Sequence, residues 1–362
     1  MNIGTVSENK NLEKRVAITP ETVKKYNDLG FKVIVEKDYA SHLGISDEQY
    51  KSCGAQIEKD KKNIIDKSDL ILQLNLPSDE NLSIINKNKI LIGIFNYYEN
   101  KDKLIQLSKK KVNIFSLELL PRITRAQSMD VLSSQANLAG YKAVIESFAN
   151  FSKAIPMMMT AAGTIPAAKT LVIGAGVAGL QAIATAKRMG AIVFATDVRI
   201  TSKEQVESLG GKFLIVEGVD NMETKGGYAK EASEEFKKKQ QELLSETLKK
   251  IDIVVCTALI PGKKAPIIIN ETMIDNMQPG SVIYDLAASQ GGNSAYTKVN
   301  EIVEKNGVKI LGESNILNKL PTSASNLYAK NLFNFIVNLY DKKNNKININ
   351  LEDEIIEKTL IK

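Results

Sequence analysis

Short apolar runs alternate with amphipathic stretches in the first third of the chain. An apolar run bounded by turn residues is typical of a buried strand, and apolar residues spaced three and four apart are typical of a helix. The predicted strands are 15–18, 31–36, 70–76, 90–95 and 112–117, and the predicted helices are 21–29 and 101–110. Thr19 is the expected N-cap of the first helix, with Pro20 as its first residue. The alternation predicts an α/β unit.

From Ser128 onward the apolar spacing becomes that of one long helix. Apolar residues recur three and four positions apart, at Met129, Leu132, Ala136, Ala139, Ala143 and Val144. Gly140 lies inside this helix and costs about 1 kcal/mol relative to alanine, which indicates that a neighbouring element approaches closely there. We expect the helix to bridge two domains.

The second half of the chain repeats the alternation. The predicted strands are 170–174, 191–196, 212–216, 251–256, 281–284 and 308–311. The predicted helices are 202–209, a charged helix that ends at 250, one near 271–277 and a last one at 329–340, which we expect to return to the first domain. The segment 217–230 is long enough for a loop to suggest a lid.

These patterns predict an α/β protein of two Rossmann-like domains, the second with a doubly wound parallel sheet, joined by long helices. Residues 1–127, completed by 321–362, form the first domain, and residues 128–320 form the second. The first domain has no glycine fingerprint, so we do not expect it to bind a dinucleotide by itself.

The glycines after strand 170–174 carry the clearest chemical signal. Gly174, Gly176 and Gly179 have the G-x-G-x-x-G spacing directly after a strand and before a helix. Gly174 would make the tight turn, Gly176 would let the backbone approach a pyrophosphate, and Gly179 would let the helix pack on the strand. Such glycines can also merely close a βα turn, but the register of strand, helix and second strand favours dinucleotide binding. The N-terminal N–H groups of the helix would face the phosphates.

Asp197 directly follows the next predicted strand, 191–196, roughly 20 residues after the first glycine. A carboxylate there can accept hydrogen bonds from both adenosine ribose hydroxyls. A 2′-phosphate would bring negative charge against it, so NAD(H) is favoured over NADP(H). Arg199 nearby weakens this discrimination slightly.

Composition narrows the class of protein. The 362 residues suffice for two domains of about 150 residues, and 25% charged with 43% apolar residues is ordinary for a soluble globular protein. No apolar run approaches the roughly 18 residues that cross a bilayer, and the N-terminus lacks a secretory core. Cys53 and Cys256 lie far apart in sequence, so we expect a reducing cytoplasm, no disulfide framework and no metal site. The net charge of +6 is dispersed, so we expect no nucleic-acid partner.

The segment 121–130 concentrates polar side chains beside the expected nicotinamide position. It contains Arg122, Arg125, Gln127 and Asp130. One interpretation is a clamp for the cofactor. The other is a polar helix N-terminus, with Ser128 or Thr124 as cap and Asp130 favoured by the helix dipole. The residues alone leave both open.

Five stretches of the chain resemble a known family. They are RVAITP (15–20), PRITRAQSMDVLSSQANLAGY (121–141), VIGAGVAGLQAIATAKRMGA (172–191), KGGYAKE (225–231) and TALIPGKKAP (257–266). Together they resemble the NAD(H)-binding component of the proton-translocating NAD(P) transhydrogenases, in order and over essentially the whole chain. The segment at Arg122 and the loop at Tyr228 are specific to that family.

The resemblance implies roles for particular residues. Arg122, Gln127 and Asp130 would hold the nicotinamide and its ribose, 175–177 would bind the pyrophosphate, and Tyr228 would lead a mobile lid. The full set of implied cofactor contacts is Arg122, Gln127, Ser128, Met129, Asp130, Gly174, Ala175, Gly176, Val177, Gly179, Asp197, Val198, Arg199, Gly227, Tyr228, Gln240 and Leu259.

The same resemblance implies an activity that needs partners. The chain would bind NAD(H) and pass hydride to NADP⁺ on a partner component, while a separate membrane-spanning component couples transfer to proton movement. It would be a homodimer in the cytoplasm, peripheral to the inner membrane and held there only through its partners.

An NAD-dependent amino-acid dehydrogenase is the alternative, because alanine dehydrogenase and lysine-forming saccharopine dehydrogenase share the opening strand and the fingerprint. Oxidising an amino acid requires a group that takes a proton. Where alanine dehydrogenases are similar, their lysine, histidine and aspartate correspond to Asn75, a residue within 95–98, and Ser289. The single histidine, His42, is interpreted as a surface loop residue, and Arg15 as a structural anchor between domains.

Hydride transfer between two nicotinamides needs no proton acceptor. It needs two rings held face to face at about 3 to 3.5 Å with water excluded. A polar clamp without an acid or base fits that reaction. A non-catalytic NAD-sensing module is a third possibility.

Overall fold

The computed structural model describes residues 1–216, 233–260 and 262–362. The chain forms two compact units, Met1–Gln135 with Leu317–Lys362, and Ala136–Ile316. The chain passes from the first unit to the second inside a long helix. Within the described residues, no helix combines the length and apolar character needed to cross a bilayer.

The first unit is built on a parallel sheet. Its strands are β1 (Asn2–Thr5), β2 (Lys32–Glu36), β3 (Ala55–Glu58), β4 (Leu70–Leu72), β5 (Ile90–Gly93) and β6 (Asn113–Ser116). Its helices are α1 (Pro20–Asp28), α2 (Asp47–Ser52), α3 (Lys61–Lys67), α4 (Asp79–Ile84) and α5 (Tyr97–Lys109), followed by α6 (Val131–Asn150). The strand order is β3-β2-β1-β4-β5-β6, which is the doubly wound Rossmann order.

The opening strand is not where the apolar pattern predicted it. Strand β1 is Asn2–Thr5, and 15–18 is irregular. Val16, Ala17 and Ile18 are nevertheless fully buried, because side chains satisfy their backbone. Ser325 Oγ accepts from the Val16 N–H at 2.9 Å, and Tyr39 Oη accepts from the Ala17 N–H at 2.8 Å. The apolar run at 15–18 therefore reflects burial of an irregular segment, and the prediction of a strand there is wrong.

Helix α1 begins as its capping signal predicts. Thr19 accepts a hydrogen bond from the Thr22 backbone N–H, the Thr22 side chain bonds back to Thr19, and Pro20 is the first helical residue. The N-cap prediction is confirmed.

The second unit contains a seven-stranded sheet. The strands of the unit are β7 (Met158–Thr160), β8 (Gly163–Ile165), β9 (Lys169–Ile173), β10 (Ile192–Thr196), β11 (Lys212–Phe213), β12 (Ile253–Cys256), β13 (Val282–Asp285), β14 (Glu301–Lys305) and β15 (Val308–Gly312). The helices are α7 (Val177–Arg188), α8 (Ser202–Ser208), α9 (Glu234–Leu248) and α10 (Glu271–Asp275). The sheet order is β11-β10-β9-β12-β13-β15-β14, and β7 pairs with β8 as a separate hairpin.

The doubly wound sheet predicted for this half is confirmed, with one added strand. β14 pairs antiparallel with β15 at the edge. Asn306 and Gly307 join the two strands with φ of 50° and 77°, the left-handed conformation that an Asn-Gly hairpin turn adopts.

The C-terminal segment belongs to the first unit. Its elements are α11 (Pro321–Leu339), β16 (Tyr340–Asp341), β17 (Lys346–Ile347) and α12 (Glu354–Thr359). Tyr328, Leu332 and Phe335 of α11 are fully buried in the core of that unit, where the Phe335 ring lies 5.4 Å from the Phe115 ring. The last long helix therefore starts at Pro321, before the predicted 329, and completes the first core.

Candidate functional site

Three strand ends of the second unit meet at one edge of its sheet. Ile173 of β9 pairs with Thr196 of β10 and with Cys256 of β12. Gly174, Asp197 and Thr257 therefore follow these strands side by side. β9 and β12 are also the point where the strand order reverses, which is where open α/β sheets bind ligands.

Two of the three fingerprint glycines are required by their backbone conformation or by close contacts. Gly174 has φ of +93°, and a Cβ there would lie 2.6 Å from Thr257 Oγ1. A Cβ on Gly179 would lie 1.8 Å from the carbonyl oxygen of Gly174. No larger residue fits at either position, so these glycines fix the turn and the seating of α7.

Gly176 has a different environment. Among the described residues, a Cβ there would meet only the Arg199 guanidinium, at 4.0 Å. Gly176 is the N-cap residue of α7, and no side chain in the described part of the chain caps that helix end. Backbone N–H groups at an uncapped helix N-terminus beside open space can bind a phosphate anion. The geometry fits the expectation that a pyrophosphate approaches the backbone here.

Asp197 is held by neighbours within its own unit. Its carboxylate accepts hydrogen bonds from the Ala175 N–H at 2.6 Å and the Arg199 N–H at 2.8 Å. The Arg199 side chain adds bonds from Nε at 2.9 Å and from a terminal nitrogen at 2.8 Å. A carboxylate has about four acceptor positions, so the Arg199 side chain would compete with ribose hydroxyls expected at Asp197.

The other predicted contacts of the second unit lie at varied depths. Val177 and Val198 are at least partly accessible beside the glycine turn. Leu259 follows β12 and is 42% exposed, whereas Gln240 is only 8% exposed on the inward face of α9. Gly227 and Tyr228, with the predicted lid, lie outside the described residues.

The predicted clamp residues of 122–130 belong to the first unit. Residues Thr124–Met129 form a 3₁₀ turn before α6. The Asp130 carboxylate accepts from the Ser133 backbone N–H at 2.8 Å and from its hydroxyl at 2.5 Å. Asp130 itself therefore caps α6, and the expectation that Ser128 or Thr124 does so is wrong.

The side chains of this turn divide into exposed and buried members. Arg122, Gln127 and Ser128 are exposed, whereas Met129 is 6% exposed and packs in the core. Met129 therefore anchors the turn through its side chain. Arg125 forms an ion pair with Asp353 at the start of α12, which identifies it as a structural residue.

Arg15 lies in a buried polar cluster of the first unit. It forms a salt bridge to Glu13 at 2.7 Å and donates to the Gln135 side chain at 2.9 Å. Burial alone would raise the pKa of Glu13, but the hydrogen bonds and charge of Arg15 outweigh it, and the net shift is downward. These partners belong to the same unit, so Arg15 anchors residues within that unit.

Two of the positions that would carry amino-acid chemistry, Asn75 and Ser289, hold neither the lysine nor the aspartate that such chemistry would use. Asn75 places its amide near Glu8 and Glu13, at 3.4 and 3.5 Å. Phe95 is fully buried and Ser289 is exposed. His42 is exposed, with Nε2 2.7 Å from the Lys14 carbonyl oxygen, as expected of a surface residue.

Comparison with known proteins gives matches over the full chain. The sequence matches the family models "Alanine dehydrogenase/PNT, N-terminal domain" over residues 4–139 and "Alanine dehydrogenase/PNT, C-terminal domain" over residues 143–362. An NAD(P) transhydrogenase subunit alpha protein of Rhodospirillum rubrum is 47% identical, covering 100% of this chain and 96% of its own. The corresponding protein of Rickettsia prowazekii is 44% identical, covering 100% of this chain and 94% of its own.

Solved structures agree. A transhydrogenase from Sinorhizobium meliloti superposes with a TM-score of 0.88 at 43% identity, covering 99% of this chain and 98% of its own. An L-alanine dehydrogenase, at 21% identity and a TM-score of 0.81, shares the fold. The alanine dehydrogenase of Methanococcus maripaludis is 28% identical, covering 87% of this chain and 81% of its own.

The fold and the glycine turn define a two-unit Rossmann-type oxidoreductase. The chain belongs to the alanine dehydrogenase/PNT family. Within that family it is more similar to transhydrogenase alpha subunits than to the alanine dehydrogenases compared, at 44 to 47% identity against 28%.

Proposed function

We propose that this chain is the NAD(H)-binding subunit of a proton-translocating transhydrogenase. The observation that carries the proposal is the glycine turn: within residues 1–216, 233–260 and 262–362, nothing lies closer than 4.0 Å to a Cβ placed on Gly176, and no side chain caps the N-terminus of α7. The full-length similarity to transhydrogenase alpha subunits supports the choice of reaction.

Each segment of the chain would contribute to cofactor binding in its own way. The backbone at 174–177 binds the pyrophosphate, and Asp197 accepts hydrogen bonds from the adenosine ribose once the Arg199 side chain moves aside. Val198, Gln240 and Leu259 add further contacts, as do Gly227 and Tyr228. Arg122, Gln127 and Asp130 orient the nicotinamide end, and Ser128 and Met129 complete that turn.

Bound NAD(H) supplies the hydride, so the chain itself needs only to orient the ring and exclude water. No side chain has to take a proton. This agrees with Asn75 and Ser289 at the positions where alanine dehydrogenases carry a lysine and an aspartate.

The proposed reaction is completed by other components. NADP(H) binds on a partner component, and a membrane-spanning component couples transfer to proton movement. The chain then lies in the cytoplasm, peripheral to the inner membrane through these partners.

We also propose that the chain forms a homodimer. The β7–β8 hairpin supports this, because Met157, Met158 and Met159 are 62%, 41% and 81% exposed. No charged residue occurs between Lys153 and Lys169. Exposed apolar surface of this kind marks an interaction site, and a second copy of the chain is its proposed occupant.

Titration of the purified chain with NADH and with NADPH tests the proposed cofactor. We expect NADH to bind and NADPH to bind far more weakly, because Asp197 opposes a 2′-phosphate. An alanine oxidation assay with NAD⁺ runs in parallel. Equal affinity for the two cofactors, or turnover of alanine, would contradict the proposal.

A further inference from the structure

Asp285 is a buried carboxylate that the proposed reaction does not use. It ends β13 and is fully buried. Its oxygens accept from the backbone N–H groups of Ala287 at 3.0 Å, Asn293 at 2.7 Å and Ser294 at 3.0 Å. The Thr297 hydroxyl donates to it at 2.6 Å. The loop after β13 therefore wraps around the Asp285 carboxylate, which accepts all four of these hydrogen bonds.

The loop turns toward Asp285 at two consecutive glycines. Gly291 and Gly292 have φ of 102° and 81°. A Cβ on Gly292 would lie 2.9 Å from the Asp285 carboxylate and 2.7 Å from the Thr297 side chain. The Gln-Gly-Gly stretch thus serves to bring Asn293 into the interior.

The Asn293 side chain then binds the loop that follows β12. Asn293 is fully buried. Its Oδ1 accepts from the Ala258 N–H at 3.0 Å, while its Nδ2 donates to the carbonyl oxygens of Ala258 and Pro266, each at 2.9 Å. Because both backbone groups of Ala258 are paired, only one orientation of the amide satisfies them.

Thr257, the residue before Ala258, reaches the fingerprint turn. Its backbone N–H donates to the Ile173 carbonyl oxygen at 2.8 Å. Its hydroxyl lies 3.0 Å from the carbonyl oxygens of both Ile173 and Gly174. Hydrogen bonds therefore connect Asp285 to Asn293 and Asn293 to Ala258, and the neighbouring Thr257 connects this loop to the Gly174 turn.

We propose that Asn293 is a positioning residue for dinucleotide binding, whose amide clamps Ala258 and thereby holds Thr257 against the Gly174 turn. The clamp also fixes the start of the loop that presents Leu259. Binding groups must be held within about 0.5 Å of their productive geometry. If the Gly174 turn were not held in place by Thr257, the backbone N–H groups at 174–177 would be misplaced, although the glycines themselves are intact.

The inference rests on the proposed binding of NADH, and the experiment separates the two. NADH affinity is measured by fluorescence titration for the wild type, Asn293→Asp and Ser294→Ala, well below each melting temperature. Ser294 is the matched control: it is adjacent and buried, and its hydroxyl has no hydrogen-bond partner among the described residues. If the wild type does not bind NADH, the proposed cofactor is wrong, whatever the variants do.

Asn293→Asp replaces the amide donor with an oxygen that faces two carbonyl oxygens. We expect NADH to bind it at least tenfold more weakly, and Ser294→Ala to bind within twofold of the wild type. We also expect amide hydrogen exchange at 257–260 to accelerate in Asn293→Asp while the strands of the sheet stay protected. A folded Asn293→Asp variant that binds NADH like the wild type would overturn the inference.

If Asn293→Asp does not fold, two less disruptive variants at Thr257 test the same inference. Thr257→Val removes the hydroxyl that reaches Gly174 with little change in shape, and Thr257→Ser retains it. We expect threefold or greater loss of NADH affinity for valine and recovery to within twofold of the wild type for serine. Equal affinity for valine and serine would overturn the inference.

Discussion

Arg199 occupies the acceptor positions of Asp197 that a ribose would need. Two side-chain hydrogen bonds join them, of which the one from the terminal nitrogen, at 2.8 Å, is also a salt bridge, and both side chains are largely buried. The sequence places both residues near the expected cofactor and predicts that Arg199 weakly opposes NAD(H) selectivity. If Asp197 binds the ribose as we propose, the guanidinium would have to leave the carboxylate before the hydroxyls could bind.

We predict that Arg199→Gln tightens NADH binding and weakens NADPH binding. Releasing the acceptor positions of Asp197 should strengthen NADH binding by about 1 kcal/mol, roughly a fivefold change in affinity. Removing the cation leaves a 2′-phosphate facing Asp197 alone. Lys203→Gln is the control, because it removes an exposed cation from the neighbouring helix α8. Weaker NADH binding by Arg199→Gln would show that Arg199 contacts the cofactor favourably.

The Arg125 and Asp353 pair makes a separate prediction about pH. The Arg125 guanidinium lowers the pKa of Asp353 from 3.8 to about 2. A lowered folded-state pKa adds stability above the ordinary value and loses it as pH falls through the lowered one. Asp353→Asn removes this contribution at every pH.

The difference in urea midpoint between wild type and Asp353→Asn should therefore shrink between pH 6 and pH 3. Arg125 is 54% exposed, so added salt should also reduce the difference. Glu354→Gln, which removes the exposed carboxylate next in sequence, is the control for charge. A difference that stays constant over this pH range would contradict the role given to the pair.

Single residues were predictable where the backbone limits the choice of side chain. Gly174, Gly179 and Thr19 belong to this class. Thr257 and Asn293 were not found, because a threonine after a strand and an asparagine after two glycines have no distinctive spacing. Their importance arises only when two distant loops are folded together.

At the scale of elements, a close contact explains why helix α6 contains Gly140, although glycine is unfavourable inside a helix. A Cβ at this position of α6 would lie 2.0 Å from the carbonyl oxygen of Ala178 in the first turn of α7. The expectation of a close approach at Gly140 is confirmed. The same contact supports the helix end at which the pyrophosphate is proposed to bind.

Gly140→Ala should destabilise the protein although alanine is the better helix former. Helix propensity alone would add about 1 kcal/mol of stability, whereas overpacking typically costs about 1 to 3 kcal/mol. We expect a net loss of stability in thermal unfolding and weaker NADH binding, because α7 must shift. Ala149→Gly, at an exposed position of α6, measures how much the difference in helix propensity between alanine and glycine changes the stability. A stabilised Gly140→Ala variant would contradict the close contact.

Helices and strands were predictable from the sequence where their buried residues form a regular apolar pattern. Central strands such as β9, β12 and β13 are continuous apolar runs and were found. The ends of β4 and β5 were overestimated, because Leu74 and Phe95 are buried without belonging to a strand. The β7–β8 hairpin has no buried residue, and edge strand β14 is mostly charged, so neither shows the period of a half-buried strand.

At the scale of the whole molecule, the exposed hairpin bears on assembly. Met159 is 81% exposed, so Met159→Glu costs the single chain little. We expect light scattering to show a dimer for the wild type and a monomer for this variant. Leu12→Glu, at a position 70% exposed, is the control and should remain dimeric. A monomeric wild type, or a dimeric Met159→Glu variant, would remove the hairpin from the interface.

The central claim is that this chain performs one half of a hydride transfer. The direct test is stopped-flow mixing of the chain with a separately purified NADP(H)-binding component loaded with NADPH. The acetylpyridine analogue of NAD⁺ serves as acceptor, because its reduced form absorbs at its own wavelength. Alanine with NAD⁺ is assayed on the chain alone. We predict rapid reduction of the analogue only when both components are present, and no alanine oxidation. Alanine oxidation by the chain alone, or no transfer in the mixture, would contradict the account.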